Sequence, residues 1–209
     1  MKAAVILAGG YGTRFGGPEK AVVDVAGRPM ISRVLEAVGP VVDEVVVNAR
    51  EDQREAIDAA LSGGDTPYRY ALDEVPDRGP LAGIATGLSA TEAEYSLVVA
   101  CDMPLVDPAF VAHLFERAAG HDAAIPVQRR GGSDWPQPLQ AVYRTTRMQA
   151  VARESLAEGL DSPLDAIERL GFVPVSIGEA PDGVDGTTLW NVNTREELRD
   201  VERRLAGVD

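Results

Sequence analysis

Short apolar runs alternate along the chain with segments in which apolar residues recur at helical spacing. Met1 to Ala8 is an almost uninterrupted apolar run, which is typical of a strand buried in a parallel sheet. Runs of the same type cover 44–48 and 95–100. Further strands are predicted at 67–72, 122–127, 138–143 and 172–177. The segment between 127 and 138 contains glycine, proline and tryptophan, and we expect it to be a loop.

The segments between these runs predict helices. Ile31, Val34, Leu35 and Val38 form an apolar stripe after Pro29, which we expect at the first helical position. Further helices are predicted at 52–61, 81–90, 107–119, 146–156 and 194–205, with a short one opening at 162–163. This alternation predicts an α/β fold, a mostly parallel, doubly wound (Rossmann-like) sheet. No linker or internal repeat interrupts 1–209, so we expect a single domain.

The first predicted strand runs directly into a glycine-rich loop. Five glycines fall between residues 9 and 17, where they leave backbone N–H groups free to point at an anion. Arg14 and Lys20 add two cations to the same loop. The composition of this loop predicts a phosphate-binding cradle, and an ordinary strand-to-loop connection is the alternative.

Two common phosphate-binding loops are excluded by individual residues. A P-loop needs Gly-Lys-Ser/Thr, but Pro18 follows Gly17. The dinucleotide fingerprint G-x-G-x-x-G fails because Phe15 stands at its sixth position, and Pro18 soon afterwards makes a helix start there improbable. The loop is therefore expected to belong to a different class of nucleotide-binding protein.

Polar residues stand at the carboxyl ends of the predicted strands, where open parallel sheets bind ligands. Asp102 follows the most apolar strand and is expected to bind Mg²⁺, which prefers one or two carboxylates together with phosphate oxygens. The alternative is that it caps a turn. Asn48 either contacts a nucleotide or caps a helix. Asp73 either hydrogen-bonds a base or ribose or is an exposed loop carboxylate. The Gly79–Gly83 segment either brings backbone close to a base or only starts a helix.

Composition narrows the class of partner and the compartment. The 209 residues carry a net charge of −13, which argues against nucleic acid or an anionic membrane as a partner. A single cysteine excludes an internal disulfide, and no apolar run is long enough to span a membrane, so a cytoplasmic protein is expected. The acidic composition resembles that of proteins from salt-loving archaea, although GC-rich coding accounts for it equally well. Lys2 and Lys20 are the only lysines.

Several segments carry a family resemblance. Leu7 to Gly10 with Arg14, Gly16 and Lys20 resembles the signature L-A-G-G-x-x-x-R-x-G-x-x-K of nucleotidyltransferases that act on sugar phosphates or on the molybdenum cofactor. The remaining matching segments, in family order, are Asp73 with Gly79–Gly83, Cys101–Pro104, Gln137–Tyr143 and Asn191–Leu198. Together they resemble the molybdenum cofactor guanylyltransferase family. Arg195 departs from the pattern, because the family often has proline there.

The resemblance implies transfer of GMP from GTP-Mg to molybdopterin, with release of pyrophosphate. The implied nucleotide-binding residues are Leu7, Ala8, Gly9, Gly10, Lys20, Asn48, Asp73, Pro80, Leu81 and Asp102. Arg14, Lys20 and Asp102 would be catalytic, Asp102 would hold Mg²⁺, and Asn191 and Asn193 would bind the acceptor. The amino-terminal half would then bind the nucleotide and the carboxyl-terminal half the acceptor. Transient contact with cofactor-biosynthesis proteins or molybdoenzymes is also expected.

Other readings stay open at this point. A cytidylyltransferase acting on the same cofactor would carry similar motifs, and so would a sugar-phosphate nucleotidyltransferase. A non-catalytic nucleotide-binding protein is disfavoured because Arg14, Lys20 and Asp102 are all present. A redox enzyme that uses a dinucleotide is disfavoured by the failed fingerprint at Phe15.

Overall fold

The computed structural model describes residues 1–10, 19–75, 78–130 and 132–207. The strands within these ranges are β1 (Lys2–Leu7), β2 (Asp24–Val25), β3 (Arg28–Pro29), β4 (Glu44–Ala49), β5 (Arg69–Leu72), β6 (Tyr95–Ala100), β7 (Ala123–Arg130), β8 (Ser133–Pro136), β9 (Gln140–Arg144) and β10 (Phe172–Ser176). The main sheet has eight strands, of which seven lie in the order β10-β7-β9-β6-β1-β4-β5, with β8 paired to β7.

β1 lies inside the sheet, between two parallel partners. Val5 is in register with Val46 of β4 and with Val98 of β6. β5 continues the parallel arrangement beside β4, and β10 is parallel to β7. β9 is antiparallel to both β6 and β7. The prediction of a mostly parallel sheet is therefore confirmed, with β9 and the β8 hairpin strand as its antiparallel members.

Helices cover both faces of this sheet. They are α1 (Met30–Val38), α2 (Arg54–Leu61), α3 (Gly79–Ser89), α4 (Pro108–Ala118), α5 (Thr145–Ala157), α6 (Pro163–Ile167) and α7 (Arg195–Leu205). α1, α2 and α4 pack on the face that carries Ile6, whereas α3, α5 and α6 pack on the face that carries Val5. Because neighbouring residues of β1 point to opposite faces and both faces are covered, every residue from Ala3 to Ile6 is buried.

Two local predictions are wrong. The segment before β9 was expected to be a loop, but Ser133–Pro136 forms β8, antiparallel to β7, with Gln128 opposite Trp135. This strand lies off the main path of the sheet and is largely exposed, so its sequence lacks the alternation of a half-buried strand. Pro29 also does not open α1. It is extended, pairs with Asp24 and precedes the helix, which begins at Met30.

Glycines let α3 approach the sheet closely. A Cβ on Gly87 would lie 2.3 Å from Val5 Cγ1, and a Cβ on Gly83 would lie 2.5 Å from Asn48 Oδ1. Side chains at these positions would push the helix outward. α3 therefore rests against β1 and β4 close to their carboxyl ends, where its first turn borders the candidate site.

A separate small hydrophobic core places the segment before α7 at the edge of the sheet where β1, β4 and β6 end. Val192 and Val201 pack with Val25 of β2 and with Met30. In addition, the Val192 backbone N–H donates to the carbonyl oxygen of Asp102 over 2.8 Å. The segment before α7 is thereby tied to the residue that follows β6. None of the helices in the described part of the chain has the length and apolar character needed to cross a bilayer.

Candidate active site

The carboxyl ends of β1, β4, β5 and β6 open onto one cavity of about 590 Å³, which we name the strand-edge cavity. Most of the residues predicted from the sequence to form a site meet here. They are Leu7, Ala8, Gly9, Gly10, Lys20, Asn48, Asp73, Pro80, Asp102 and Asn193. The volume suits a small-molecule ligand.

Lys20 is the central cation of the strand-edge cavity. Its Nζ forms an ion pair with Asp102 Oδ2 and donates to Asn193 Oδ1 over 2.8 Å. The Lys20 and Asp102 side chains are only 14% and 15% exposed. Asn193 is itself held by Glu197 Oε2, which accepts from the Asn193 backbone N–H over 2.7 Å as part of the cap of α7. Two segments that are distant from Lys20 in sequence therefore hold the lysine in a fixed position.

Asp102 retains an oxygen that fits a metal ion. Its Oδ1 is buried and has no hydrogen-bond partner among the described residues. A buried carboxylate oxygen of this kind is costly unless a ligand or cation satisfies it. No group of three His, Cys, Asp or Glu residues within the described ranges could hold a metal ion alone. Asp102 therefore fits Mg²⁺ in its usual mode, with substrate phosphates and water completing the coordination.

Asn48 and Asp73 form a second polar pair in the strand-edge cavity. Asn48 is buried at the end of β4, and its Nδ2 donates to Asp73 Oδ1 over 2.8 Å and to the Ala71 carbonyl over 3.1 Å. The Asp73 carboxylate lies so close to the glycine backbone that a Cβ on Gly9 would be 2.7 Å from Oδ2. Asn48 thus fixes the carboxylate of Asp73 beside the cavity.

Arg50, which no sequence motif singles out, fixes both ends of the glycine-rich segment. Its side chain is 4% exposed, and it donates to the Gly9 carbonyl over 2.7 Å and to Glu19 Oε1 over 2.6 Å. Gln53 assists by donating to the Ala8 carbonyl over 2.9 Å and to Glu19 Oε2.

Arg50 stays charged in this environment. Burial by itself would lower its pKa, but hydrogen bonds to Asp52 and the charge of Glu19 outweigh burial and raise the pKa above its ordinary value. From sequence alone, an arginine one residue beyond a strand is expected to be exposed to solvent. The one sequence signal for Arg50 is its position two residues after Asn48, a predicted site residue.

Two predicted residues lie apart from this arrangement, and a third is not among the described residues. Leu81 is fully buried in the core beneath α3 and does not line the strand-edge cavity, whereas Pro80 does. Asn191 lines the neighbouring cavity described next. Arg14 lies outside the described residues, together with the rest of 11–18.

An adjoining cavity of about 580 Å³ meets the strand-edge cavity at Asn193, which lines both. Its other lining residues include Gln128, Gln137, Trp190 and Asn191. Asn191 and Asn193, predicted together from the sequence, therefore both line the adjoining cavity. Asn191 belongs to the adjoining cavity, while Asn193 lies at the junction.

Cys101 lines the strand-edge cavity but is not suited to act as a nucleophile. Burial, reinforced by the negative charge of Asp102, raises the pKa of its thiol to about 12. The thiol is therefore protonated at neutral pH, when only a thiolate would be reactive. The chemistry of this site rests on cations, carboxylates and amides.

The family model described as the MobA-like NTP transferase domain matches residues 4–170. A probable molybdenum cofactor guanylyltransferase from Natronomonas pharaonis is 42% identical over 205 residues, which cover 98% of each chain. The chain belongs to the MobA-like NTP transferase family.

Solved structures agree with this assignment. Molybdopterin-guanine dinucleotide biosynthesis protein A from Archaeoglobus fulgidus matches with a TM-score of 0.78 and 28% identity, covering 99% of this chain and 100% of that one. A 4-diphosphocytidyl-2C-methyl-D-erythritol synthase from Anaerococcus prevotii matches with a TM-score of 0.79 but only 16% identity, covering 99% of this chain and 96% of that one. The second likeness extends to the fold alone.

Proposed function

We propose that this member of the MobA-like NTP transferase family transfers GMP from GTP to the molybdenum cofactor molybdopterin and releases pyrophosphate. The choice of guanine and molybdopterin is supported by the full-length similarity to molybdenum cofactor guanylyltransferase. The observation that carries the proposal is the position of Lys20, which bridges Asp102 of the strand-edge cavity and Asn193 at its junction with the adjoining cavity. A cation at that junction would lie where the phosphates of two substrates meet.

We further propose that each of the two cavities binds one of the two substrates. GTP occupies the strand-edge cavity, with the backbone of 7–10 facing its phosphates and Asp73, held by Asn48, facing its base or ribose. Molybdopterin occupies the adjoining cavity, with Asn191 and Asn193 contacting it. In support, the strand-edge cavity is lined mainly by residues of the amino-terminal half, and residues 128–201 line the other.

In the proposed reaction, a phosphate oxygen of molybdopterin attacks the α-phosphorus of GTP. A bond forms between that oxygen and the α-phosphorus, while the bond from the α-phosphorus to the oxygen bridging to the β-phosphate breaks. Pyrophosphate then leaves with the electron pair. The attacking phosphate is already ionised at neutral pH, so no side chain needs to remove a proton.

The chain contributes positioning and charge neutralisation. Lys20 offsets negative charge that develops on the transferring phosphoryl group, and Arg14, predicted from the sequence, would contribute a second positive charge to the same task. A Mg²⁺ ion held by Asp102 and by phosphate oxygens would neutralise the triphosphate and orient it. Asn193 keeps the Lys20 ammonium at the junction of the two cavities.

The test is pyrophosphate release by the purified protein supplied with Mg²⁺, molybdopterin and either GTP or CTP. Release with GTP alone, abolished in Asp102→Asn, is the expected result. Glu92→Gln is the matched control, because it makes the same carboxylate-to-amide change at an exposed residue before the opposite end of β6. Release with CTP alone would overturn the choice of base. If folded protein releases no pyrophosphate with either nucleotide, the choice of molybdopterin as the acceptor is wrong.

A further inference from the structure

Trp190 occupies an unusual position for a large aromatic residue. The residue is 42% exposed, although its neighbour Leu189 and the nearby Val192 are buried. Val192 is also tied by its backbone to the carbonyl of Asp102 over 2.8 Å. The segment is thus anchored on both sides of the tryptophan, so the indole is presented at the surface by a fixed backbone.

The exposed indole lies between two concave surfaces. Trp190 lines the adjoining cavity on one side, where Asn191 and Asn193 also lie, and a cavity of about 760 Å³ on the other. Gln128 lines both cavities as well. A tryptophan shared by two cavities offers a flat apolar surface with polar groups around it, which is how proteins bind planar heteroaromatic rings.

The polar groups near Trp190 suit a ring whose edge carries both donors and acceptors. Gln137 brings an amide, which can donate and accept, and Glu197 and Asp200 bring carboxylates, which accept from ring N–H and amino groups. A pterin is such a ring, with an amino group and a ring N–H next to a carbonyl.

We infer that Trp190 is the stacking platform for the pterin ring of the acceptor. The inference rests on the proposed function, because it takes the acceptor to be molybdopterin. It places the two ends of the acceptor: the phosphate lies at Asn193 and Lys20, and the ring extends through the adjoining cavity to the indole. Trp190 is accordingly a specificity-determining residue for the acceptor and has no part in binding GTP.

The chain offers a matched control for this idea. Trp135 is the only other tryptophan, is 52% exposed, and lies on β8, outside the residues that line the adjoining cavity. Trp190→Ala should raise the KM for molybdopterin by about 10- to 100-fold, the range given by stacking of a heteroaromatic base on an aromatic side chain. The KM for GTP should not change, Trp135→Ala should behave like the wild type, and Trp190→Phe should restore most of the affinity.

A second measurement does not depend on turnover. A free pterin without a phosphate is fluorescent, and the anisotropy of its emission should rise when the protein binds it, whichever side chain it contacts. Wild type and Trp135→Ala should bind it with the same dissociation constant, and Trp190→Ala should bind at least tenfold more weakly.

The outcomes separate this inference from the function on which it rests. Turnover of molybdopterin with an acceptor KM unchanged in Trp190→Ala would overturn the platform and leave the function intact. If Trp190→Ala raises the KM for GTP and not the KM for the acceptor, the indole contacts the nucleotide, and the platform for the pterin ring is also overturned. Pterin binding that depends on Trp190, without any turnover of molybdopterin, would support the ring site and overturn the proposed transfer reaction.

Discussion

Replacing Arg50 with lysine should weaken both the fold and nucleotide binding. The wild-type guanidinium is 4% exposed and donates to the Gly9 carbonyl over 2.7 Å and to Glu19 Oε1 over 2.6 Å. These two acceptors flank the glycine-rich segment, and Glu19 directly precedes Lys20. A lysine ammonium keeps the charge but is a compact donor on a flexible stem, and it lacks the planar fork that spans both acceptors.

The magnitude follows from the hydrogen bonds that are lost. Lysine can keep one of the two contacts, and a hydrogen bond to a charged group contributes about 1.5–3 kcal/mol net to stability. We therefore expect the free energy of unfolding to fall by about 2–3 kcal/mol. The KM for GTP should rise about tenfold, equivalent to about 1.4 kcal/mol, because a loop that is no longer fixed at its ends must be ordered on binding.

Urea unfolding measures the first effect, and pyrophosphate release at varied GTP concentration measures the second. Glu51→Gln is the control, because Glu51 directly follows Arg50 in the sequence but is 70% exposed and pairs with Arg54 at the surface. Its change should stay within about 0.5 kcal/mol. If Arg50→Lys matches this control in both stability and KM for GTP, the reasoning that Arg50 fixes the glycine-rich segment is wrong.

Three further predictions follow from other contacts. Gly87→Ala should lower the free energy of unfolding in urea by about 1–3 kcal/mol, because the new Cβ meets Val5. Adding Val5→Ala to the same chain should relieve the clash, so the double variant should lose less than the sum of the two single losses. If the two losses add up, no clash between the two positions exists. Lys20→Met should lower turnover at saturating GTP by about 100-fold or more, because a cation facing the developing charge is lost, and near-normal turnover would remove Lys20 from the proposed mechanism. Cys101, whose pKa burial raises to about 12, should react with iodoacetamide at pH 8 at least about 100-fold more slowly than the same thiol in urea-unfolded protein, because its thiolate fraction is much smaller; equal rates in the two states would show an exposed thiolate.

The position of the candidate site was predictable, because parallel strands place their carboxyl ends at one edge of the sheet. Gly9, Asn48, Asp73 and Asp102 are far apart in sequence, yet each lies at or just beyond the carboxyl end of a strand, and all of them line the strand-edge cavity. Once the strands are known to be parallel, their carboxyl ends must lie at one edge. β6 in particular was predicted with its observed bounds, Tyr95–Ala100, because its run is apolar throughout.

Features that depend on long-range contacts were not predictable in the same way. Arg50 is buried only because Gly9 and Glu19 come from another part of the chain. Of the two predicted asparagines only Asn193 lines both cavities, and its contact with Lys20 spans 173 positions of the chain. β8 pairs only with β7, and an exposed strand of four residues carries little of the alternation that marks a strand in sequence.

The most direct test of the central claim follows the phosphorus atoms of GTP. The protein is incubated with Mg²⁺, molybdopterin and GTP labelled at either the α- or the γ-phosphate, and the label on the acceptor is measured for wild type, Asp102→Asn and Glu92→Gln. We predict that only the α-label reaches the acceptor, in wild type and Glu92→Gln, and that Asp102→Asn transfers none. Transfer of the γ-label, or equal transfer of the α-label by Asp102→Asn, would contradict nucleotidyl transfer at this site.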